Sequence, residues 1–221
     1  MDSLTILVAI LATGLCERVP VPINTFLWLD FETTGLDFKA DDIIEVGAVL
    51  TDSSMIPYSS FWSLVTPSEE AYFRMMDNDR VRSMHRNTGL LPELDELIRS
   101  SESSMKSLEF VEHNLLSWLD SSDLDTSTMY LCGSGVSHFD HHLIKSRMPR
   151  LNERLRYATI DVSVLWRFQE AFIGEALPMP DVDPSRAHRA LYDAHRAVEL
   201  GSLYRDVMAE SFSDNSVFAG I

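Results

Sequence analysis

The chain has 221 residues, of which 45% are hydrophobic and 10% aromatic, with nine glycines and nine prolines. This composition describes one ordinary globular domain with a sizeable core. Two cysteines, Cys16 and Cys132, are too few and too far apart for a disulfide framework or a thiolate metal site, so we expect a reducing, cytoplasmic location.

The formal net charge is −16. Proteins that hold long nucleic acids usually carry an excess of Lys and Arg, which displaces counterions from the phosphates. This chain carries the opposite balance of charge. Either the protein does not bind nucleic acid, or it binds a ligand with few phosphates and relies on cations at one site.

The N-terminal segment, residues 1–24, differs from the rest of the chain. Its apolar run LTILVAILATGLC follows MDS, which has no positive charge, and the run is too short to span a bilayer. We expect neither a secretory signal nor a membrane segment, but an additional helix or a start codon placed too far upstream. The folded domain is predicted over 25–210, with 211–221 as a loose tail.

Three segments after residue 24 have the composition of strands: FLWLDF (26–31), IIEVGAVLT (43–51) and SFWSLVT (60–66). Each is rich in β-branched and aromatic residues, and clusters of Gly, Pro, Ser and Asp separate them. The pattern predicts a three-strand meander.

Helices and strands alternate in the second half of the chain. Leu108, Val111, Leu115 and Leu119 recur at helical spacing, and a strand is predicted at MYLCG (129–133). Further helices are predicted in DHHLIKSRM, in DVSVLWRFQEAF and from about Ala187 to Met208, with a short strand RYATI before the second of these. The order of elements predicts an α/β domain with a mixed sheet.

Two carboxylates, Asp30 and Glu32, end the first predicted strand. Residues two apart point to the same side of a strand, so the two charges repel each other, and burial beside Trp28 adds to the cost. Either the strand reaches the surface there, or a divalent cation such as Mg²⁺ or Mn²⁺ binds the pair. The pair alone does not decide between these possibilities.

Asp193 is a second anomaly, because helical spacing places it beside the apolar stripe of the last predicted helix. His188 lies five residues earlier, so both side chains reach one site only if His188 is in the loop or first turn. A third carboxylate, Asp140, follows a Gly/Ser turn at the start of a predicted helix. It is either a helix N-cap or a further member of the same site.

Taken in order, D-x-E at a strand end, F-D opening a helix and H-x-x-x-x-D near the last helix resemble the pattern of the DEDDh 3'-to-5' exonucleases. Within that superfamily the chain is most similar to oligoribonuclease, from about Phe26 to Met208. The similar blocks are LWLDFETTGLD, DDIIEVGAVLTD, VRSMHRNTGL, YLCGSG, MPRLNERLRYATIDVSVL and HRALYDAHRAVEL.

The resemblance implies a ribonuclease H-like fold, a mixed β-sheet flanked by α-helices, and hydrolysis of short single-stranded RNA to 5'-mononucleotides. It implies that two divalent cations, magnesium or manganese, are held by Asp30, Glu32, Asp140 and Asp193. It also implies that His188 is the general base.

The resemblance suggests substrate contacts as well. Leu36 matches an apolar wedge against the terminal bases, and His85 matches a histidine near the scissile end. Tyr157 matches an aromatic presented across the interface of a homodimer. Ser163 matches a serine that helps to hold a phosphate. Each residue has an alternative role in a turn, a helix end or the core.

Two positions depart from the family. Ala158 stands where an Arg usually helps to cap the 5' phosphate of a very short RNA, and Val164 stands where a Thr is expected. The SHFD loop before the helix is more similar to DNA-trimming or broad-specificity relatives. We therefore expect a weaker preference for dinucleotides than in the family.

Two alternative functions stay open. One is a broader DEDDh exonuclease that trims the 3' ends of single-stranded DNA or RNA. The other is a non-catalytic nucleic-acid-binding module, against which the four carboxylates argue, because without metal they would repel phosphate.

Overall fold

A computed structural model describes residues 24–174, 177 and 179–213. The predicted N-terminal extension lies outside the described residues except for Asn24. The last helix continues to Ser213, so residues 211–213, which we expected in the tail, are helical. The remainder of that tail lies outside the described residues.

Five strands form one mixed sheet in the order β3-β2-β1-β4-β5. The central strand β1 pairs antiparallel with β2, which pairs antiparallel with β3, whereas β4 and β5 are parallel to β1. The strands are β1 (Thr25–Thr33), β2 (Ile43–Thr51), β3 (Pro57–Leu64), β4 (Met129–Gly133) and β5 (Leu155–Asp161). The predicted α/β fold with a ribonuclease H-like mixed sheet is confirmed.

Eight α-helices are described within the same residues. They are α1 (Glu69–Asp77), α2 (Asp79–Asn87), α3 (Leu90–Arg99), α4 (Leu108–Asp120), α5 (Asp140–Arg147), α6 (Pro149–Asn152), α7 (Val162–Ile173) and α8 (Ala190–Ser213). A short 3₁₀ helix, Ser103–Lys106, precedes α4. Among the described residues, no helix is both long enough and apolar enough to cross a membrane.

Both faces of the sheet are covered, and β1 supplies side chains to each in alternation. Leu27, Leu29 and Phe31 belong to the core cluster that includes residues of α4 and α5, whereas Phe26 and Trp28 belong to the cluster that includes residues of α8. Because side chains of a strand alternate between faces, Asp30 and Glu32 continue the α8 side of the strand. Charge replaces apolar residues where this side reaches the end of β1.

Helix α8 packs on the sheet at two glycines. A Cβ atom at Gly47 of β2 would lie 2.1 Å from the backbone nitrogen of Leu191, and one at Gly201 would lie 2.5 Å from the indole of Trp28. The absence of side chains at these two positions lets the helix backbone approach β2 and lets β1 pack against the helix. The close packing fixes the first turn of α8 over the charged end of β1.

Candidate active site

Asp30 and Glu32 lie two residues apart at the end of β1. They are paired with Gly47 and Glu45 of β2. The Glu32 side chain is buried. The possibility that the strand simply reaches the surface here does not fit this burial. Asp30 is partly buried beside Glu32.

Asp140 reaches the same end of β1 from the other side. Strand β4 pairs with β1 only as far as Trp28, which leaves the backbone N–H of Phe31 without a strand partner on that side. That N–H donates a hydrogen bond to Oδ1 of Asp140, 3.1 Å away. The N-cap of α5 is Phe139, so Asp140 does not cap the helix; its buried carboxylate points to the segment between Asp30 and Glu32.

Asp193 and His188 come from the start of α8. The helix begins at Ala190, three residues later than predicted, because His188 has a φ of 61°, which is outside the helical region. The backbone N–H of His188 donates to Oδ2 of Asp193 at 2.9 Å. One ligand atom from each of Glu32, His188 and Asp193 lies within 4.8 Å of the others.

The carboxylates raise one another's pKa values. Burial, followed by repulsion from Asp140, Glu32 and Asp193, raises the pKa of Asp30 well above its usual range. Burial, together with repulsion from Glu45 and Asp193, raises the pKa of Glu32 to about 8, and burial raises that of Asp140 to about 7. Ionising all four carboxylates at neutral pH is unfavourable unless a positive charge is bound among them.

This donor set fits divalent cations. Hard oxygen ligands are those that Mg²⁺ and Mn²⁺ prefer, and a bound cation offsets the repulsion that raises the carboxylate pKa values. The structure thus contains a candidate metal site at the end of β1.

A buried ion-pair network supports the segment that carries His188. Oε1 of Glu45 accepts from Nη2 of Arg189 at 2.8 Å and from the indole of Trp62 at 2.6 Å, while Oε2 accepts from the backbone N–H of Ala190 at 2.8 Å. On its outer side, Arg189 also pairs with Glu93 at 2.7 Å. Glu45 therefore ties both the arginine next to His188 and the first residue of α8 to β2.

His85 lies behind Glu32 and is completely buried. Its Nε2 donates to the carbonyl of Thr33 at 2.9 Å, and its Nδ1 lies 3.9 Å from Oε2 of Glu32. Burial lowers the pKa of the imidazole, and the buried Nδ1 has no hydrogen-bond partner among the described residues. A completely buried side chain does not fit the expected contact with substrate. The neighbouring Met84 instead lines a cavity beside the carboxylates.

Ser163 is engaged with Asp161 at the end of β5. The carboxylate of Asp161 accepts five hydrogen bonds, from the backbone and hydroxyl of Ser163, the backbone and hydroxyl of Ser137, and the backbone of Gly135. Burial opposes ionisation, but these donors outweigh it and lower the pKa of Asp161. The carboxylate thereby holds the loop that leads to Asp140.

Two cavities flank the carboxylates, and both are lined by Asp30, His188 and Asp193. We call the first, of about 550 Å³, the Leu36 cavity; its other lining residues include Leu36, Arg80, Val81, Met84 and Phe139. We call the second, of about 360 Å³, the Arg196 cavity; its other lining residues include Ser134, Met179, Pro180, Val182 and Arg196.

Two expected substrate contacts are exposed. Leu36 is 79% exposed on the loop after β1 and lines the cavity named for it. Tyr157 is 97% exposed on the edge strand β5 and lines neither cavity.

Sequence reasoning missed Glu45, Arg189 and Asp161. Glu45 interrupts an otherwise apolar strand, IIEVGAVLT, and is fully buried, which is a signal comparable to that of Glu32. Asp161 and Arg189 gave no comparable signal, because each is a common residue next to a predicted helix.

Known proteins resemble the chain in sequence and in fold. A family model described as Exonuclease matches residues 27–200. An oligoribonuclease of Corynebacterium glutamicum is 30% identical over 182 residues, 82% of this chain and 78% of that protein. An oligoribonuclease of an Azoarcus species is 27% identical over 184 residues, 83% of this chain and 94% of that protein.

The solved structure of an E. coli exonuclease I complex with single-stranded DNA superposes with a TM-score of 0.59 at 16% identity. The match covers 86% of this chain but only 42% of that protein, and it supports the fold alone. The sequence matches extend over most of this chain and over most of its oligoribonuclease relatives, and they establish that it belongs to this family of 3'-to-5' exonucleases.

Proposed function

We propose that the protein is a metal-dependent 3'-to-5' exoribonuclease that hydrolyses short single-stranded RNA to 5'-mononucleotides. The observation that carries the proposal is the convergence of Asp30, Glu32, Asp140 and Asp193, from three separate parts of the chain, at the end of β1. Clustered carboxylates repel one another, and binding cations for phosphodiester hydrolysis would offset that repulsion.

The chemistry divides between the ions and the side chains. Two bound divalent cations, magnesium or manganese, supply charge stabilisation at the attacking and leaving oxygens. Asp30, Glu32, Asp140 and Asp193 would hold these cations. Because the cations provide the positive charge, a substrate with few phosphates tolerates the net charge of −16.

His188 is the general base in this proposal. It is exposed, it lines both cavities, and one of its ring nitrogens lies within 4.8 Å of carboxylate oxygens of Glu32 and Asp193. Histidine is the side chain best suited to take a proton from water near neutral pH. The hydrogen bond from its backbone to Asp193 couples its position to a metal ligand.

The Leu36 cavity receives the 3'-terminal nucleoside. Leu36, Val81, Met84 and Phe139 give it apolar walls against which a base can pack. His85 acts from behind as a positioning residue for Glu32, and Ser163 acts through Asp161. These assignments replace the direct contacts expected of His85 and Ser163.

A homodimer is part of the proposal. The side of α7 presents Val164, Phe168, Phe172 and Ile173, which are 45%, 59%, 77% and 66% exposed, and Tyr157 stands on the neighbouring edge strand. An exposed patch of large apolar residues is typical of a protein interface. A second copy of the chain would cover the patch and bring its own Tyr157 to the facing cleft, as the resemblance implies.

A broader exonuclease acting on single-stranded DNA is the second candidate, favoured by Ala158, Val164 and the loop before Asp140. We place the protein in the cytoplasm because its few cysteines include a buried thiol, Cys132, whose pKa burial raises. The test of the function is incubation with RNA and DNA of two, five and twenty nucleotides in magnesium or manganese. Mononucleotides released fastest from the shortest RNA support the proposal, and faster release from long DNA favours the second candidate.

A further inference from the structure

Arg196 lies beside the metal ligands but forms no ion pair with a carboxylate among the described residues. It follows Asp193 by three positions on α8, so the two side chains share one face of the helix. Its Nη2 donates to the carbonyl of Pro180 at 3.0 Å, and its buried Nε has no partner among residues 24–174, 177 and 179–213. The guanidinium is thus held at the Arg196 cavity without a direct contact to a carboxylate of the described residues, although its charge counteracts the rise in pKa that burial causes at the nearby Asp193.

This situation differs from that of the other arginines near the site. Arg189 is paired with Glu45 and Glu93, and Arg147 is paired with Asp42. In a chain with 34 acidic and 18 basic residues, a fixed arginine without a carboxylate partner is a site for an external anion.

The polarity of the substrate identifies that anion. A 3'-to-5' exonuclease cleaves the last phosphodiester bond, and the nucleoside beyond that bond ends in hydroxyl groups. Every other phosphate therefore lies on the 5' side of the scissile phosphate. The scissile phosphate must lie over the carboxylates that line both cavities. A positively charged side chain in one cavity therefore indicates that the 5' part of the strand passes over that cavity.

We propose that Arg196 binds the phosphate immediately 5' of the scissile phosphate, which in a dinucleotide is the 5'-terminal phosphate. The 3'-terminal nucleoside then occupies the Leu36 cavity, and the remaining strand passes over the Arg196 cavity. This inference rests on the proposed function. Arg196 supplies from α8 the positive charge that Ala158 lacks.

Arg80 is the competing residue, because it lines the Leu36 cavity. Its side chain is exposed and has no hydrogen-bond or ion-pair partner in the described part of the chain, so it loses more rotamer freedom on binding than Arg196 does. The basic residues of α5, the helix that begins with Asp140, line neither cavity; they are His141, His142, Lys145 and Arg147. The anchored guanidinium of Arg196 is therefore the better phosphate ligand.

The test compares wild type with Arg196→Gln, Arg196→Lys and Arg80→Gln on a dinucleotide RNA with and without its 5' phosphate. The kcat/KM of each variant is measured on both dinucleotides. The Kd is measured as a function of salt concentration, with the same dinucleotides carrying a non-hydrolysable phosphonate at the scissile linkage. Arg205→Gln, on the same helix but paired with Asp206, controls for the loss of one charge. Thermal melts show that each variant is folded.

Arg196→Gln should weaken binding of the 5'-phosphorylated dinucleotide by about 10- to 150-fold. Binding of the 5'-hydroxyl form should weaken by much less. The slope of log Kd against log salt should fall, because one ionic contact to a phosphate is lost. Arg196→Lys should recover part of the affinity. Arg80→Gln should affect both dinucleotides equally.

Equal losses on both dinucleotides in Arg196→Gln, with an unchanged salt slope, would overturn the inference and leave Arg196 as a residue that only holds Pro180. Loss of 5'-phosphate discrimination in Arg80→Gln instead would reverse the strand direction and also overturn it. If wild type binds the phosphorylated dinucleotide through Arg196 but releases no mononucleotide, the proposed function fails and the phosphate site stands.

Discussion

Arg189 Nη2 lies 2.8 Å from Oε1 of the buried Glu45, and this ion pair fixes the backbone next to His188. Glu45 also accepts a hydrogen bond from Ala190, the first residue of α8. A histidine with a φ of 61° is held in an uncommon conformation, which persists only where the surroundings enforce it. The pair therefore positions His188, the proposed general base.

Replacing Arg189 with Met should lower kcat by up to about 10²-fold while leaving KM within a few-fold, because a small displacement of a catalytic group has a large effect on rate. It should also destabilise the protein by about 3 to 5 kcal/mol, since Glu45 is left buried and unpaired. Steady-state kinetics and denaturant unfolding measure the two effects.

Glu93→Gln is the matched control, because Glu93 pairs with the same arginine from the exposed side. It should change kcat by less than Arg189→Met does, as surface ion pairs contribute little. Equal losses of kcat in the two variants would contradict a specific role for the buried Glu45.

Asp30→Asn and Asp193→Asn should each reduce hydrolysis to background without unfolding the protein. In metal-free buffer their melting temperatures should exceed that of wild type, because each change removes a carboxylate whose ionised form is disfavoured by burial and by neighbouring acidic groups. Calorimetry in EDTA tests this. A lower melting temperature for both variants would show that these carboxylates stabilise the fold rather than strain it.

The stability of the metal-free protein should fall as the pH rises from about 5 to about 8. The native state keeps protons on Glu32, whose pKa is about 8, and on Asp140, whose pKa is about 7, whereas the unfolded chain loses them near pH 4. Native protein therefore binds more protons than unfolded protein across this range, and raising the pH favours unfolding.

Melting temperatures in EDTA across this range, with and without added Mg²⁺, provide the measurement. Glu32→Gln should flatten the profile, and Mg²⁺ should raise stability most at the alkaline end. A metal-free protein whose stability increases steadily from about pH 5 to about pH 8 would refute the assignment of raised carboxylate pKa values.

Phe168→Asp combined with Phe172→Asp should convert a homodimer into a folded monomer, because two exposed apolar residues of α7 would be replaced by charge. Light scattering gives the mass, and circular dichroism confirms folding. The monomer should lose activity if the partner's Tyr157 contributes to the cleft. A wild-type protein that is already monomeric at all concentrations would exclude the proposed interface.

The strands could be predicted from the sequence, and the candidate carboxylates could be singled out, because both leave local patterns. Apolar runs ended by turn residues located β1, β2 and β4 within a residue or two of their observed bounds, and Asp30, Glu32 and Asp193 stood out as charges at apolar positions. Helices α1, α2 and α3 were not predicted individually. They are nine or ten residues long and are delimited by caps such as Ser68 and Asn78 rather than by a long periodic pattern.

The supporting contacts were harder to predict because they join residues far apart in the chain. Glu45 forms an ion pair with Arg189, which lies 144 positions later in the sequence. The burial of His85 and the engagement of Ser163 with Asp161 also depend on how helices and loops pack, which no local pattern encodes. Resemblance placed both residues near the substrate, whereas the packing places one behind Glu32 and the other under the loop before Asp140.

The most direct test of the central claim is the product pattern from 5'-labelled RNA of five nucleotides, incubated with wild type and with Asp193→Asn in Mg²⁺ or in excess EDTA. Wild type in Mg²⁺ should shorten the labelled strand one nucleotide at a time from its 3' end, and the variant and the EDTA sample should leave it intact. Full turnover in EDTA, or release of the labelled 5' nucleotide as the first product, would contradict a metal-dependent 3'-to-5' exonuclease.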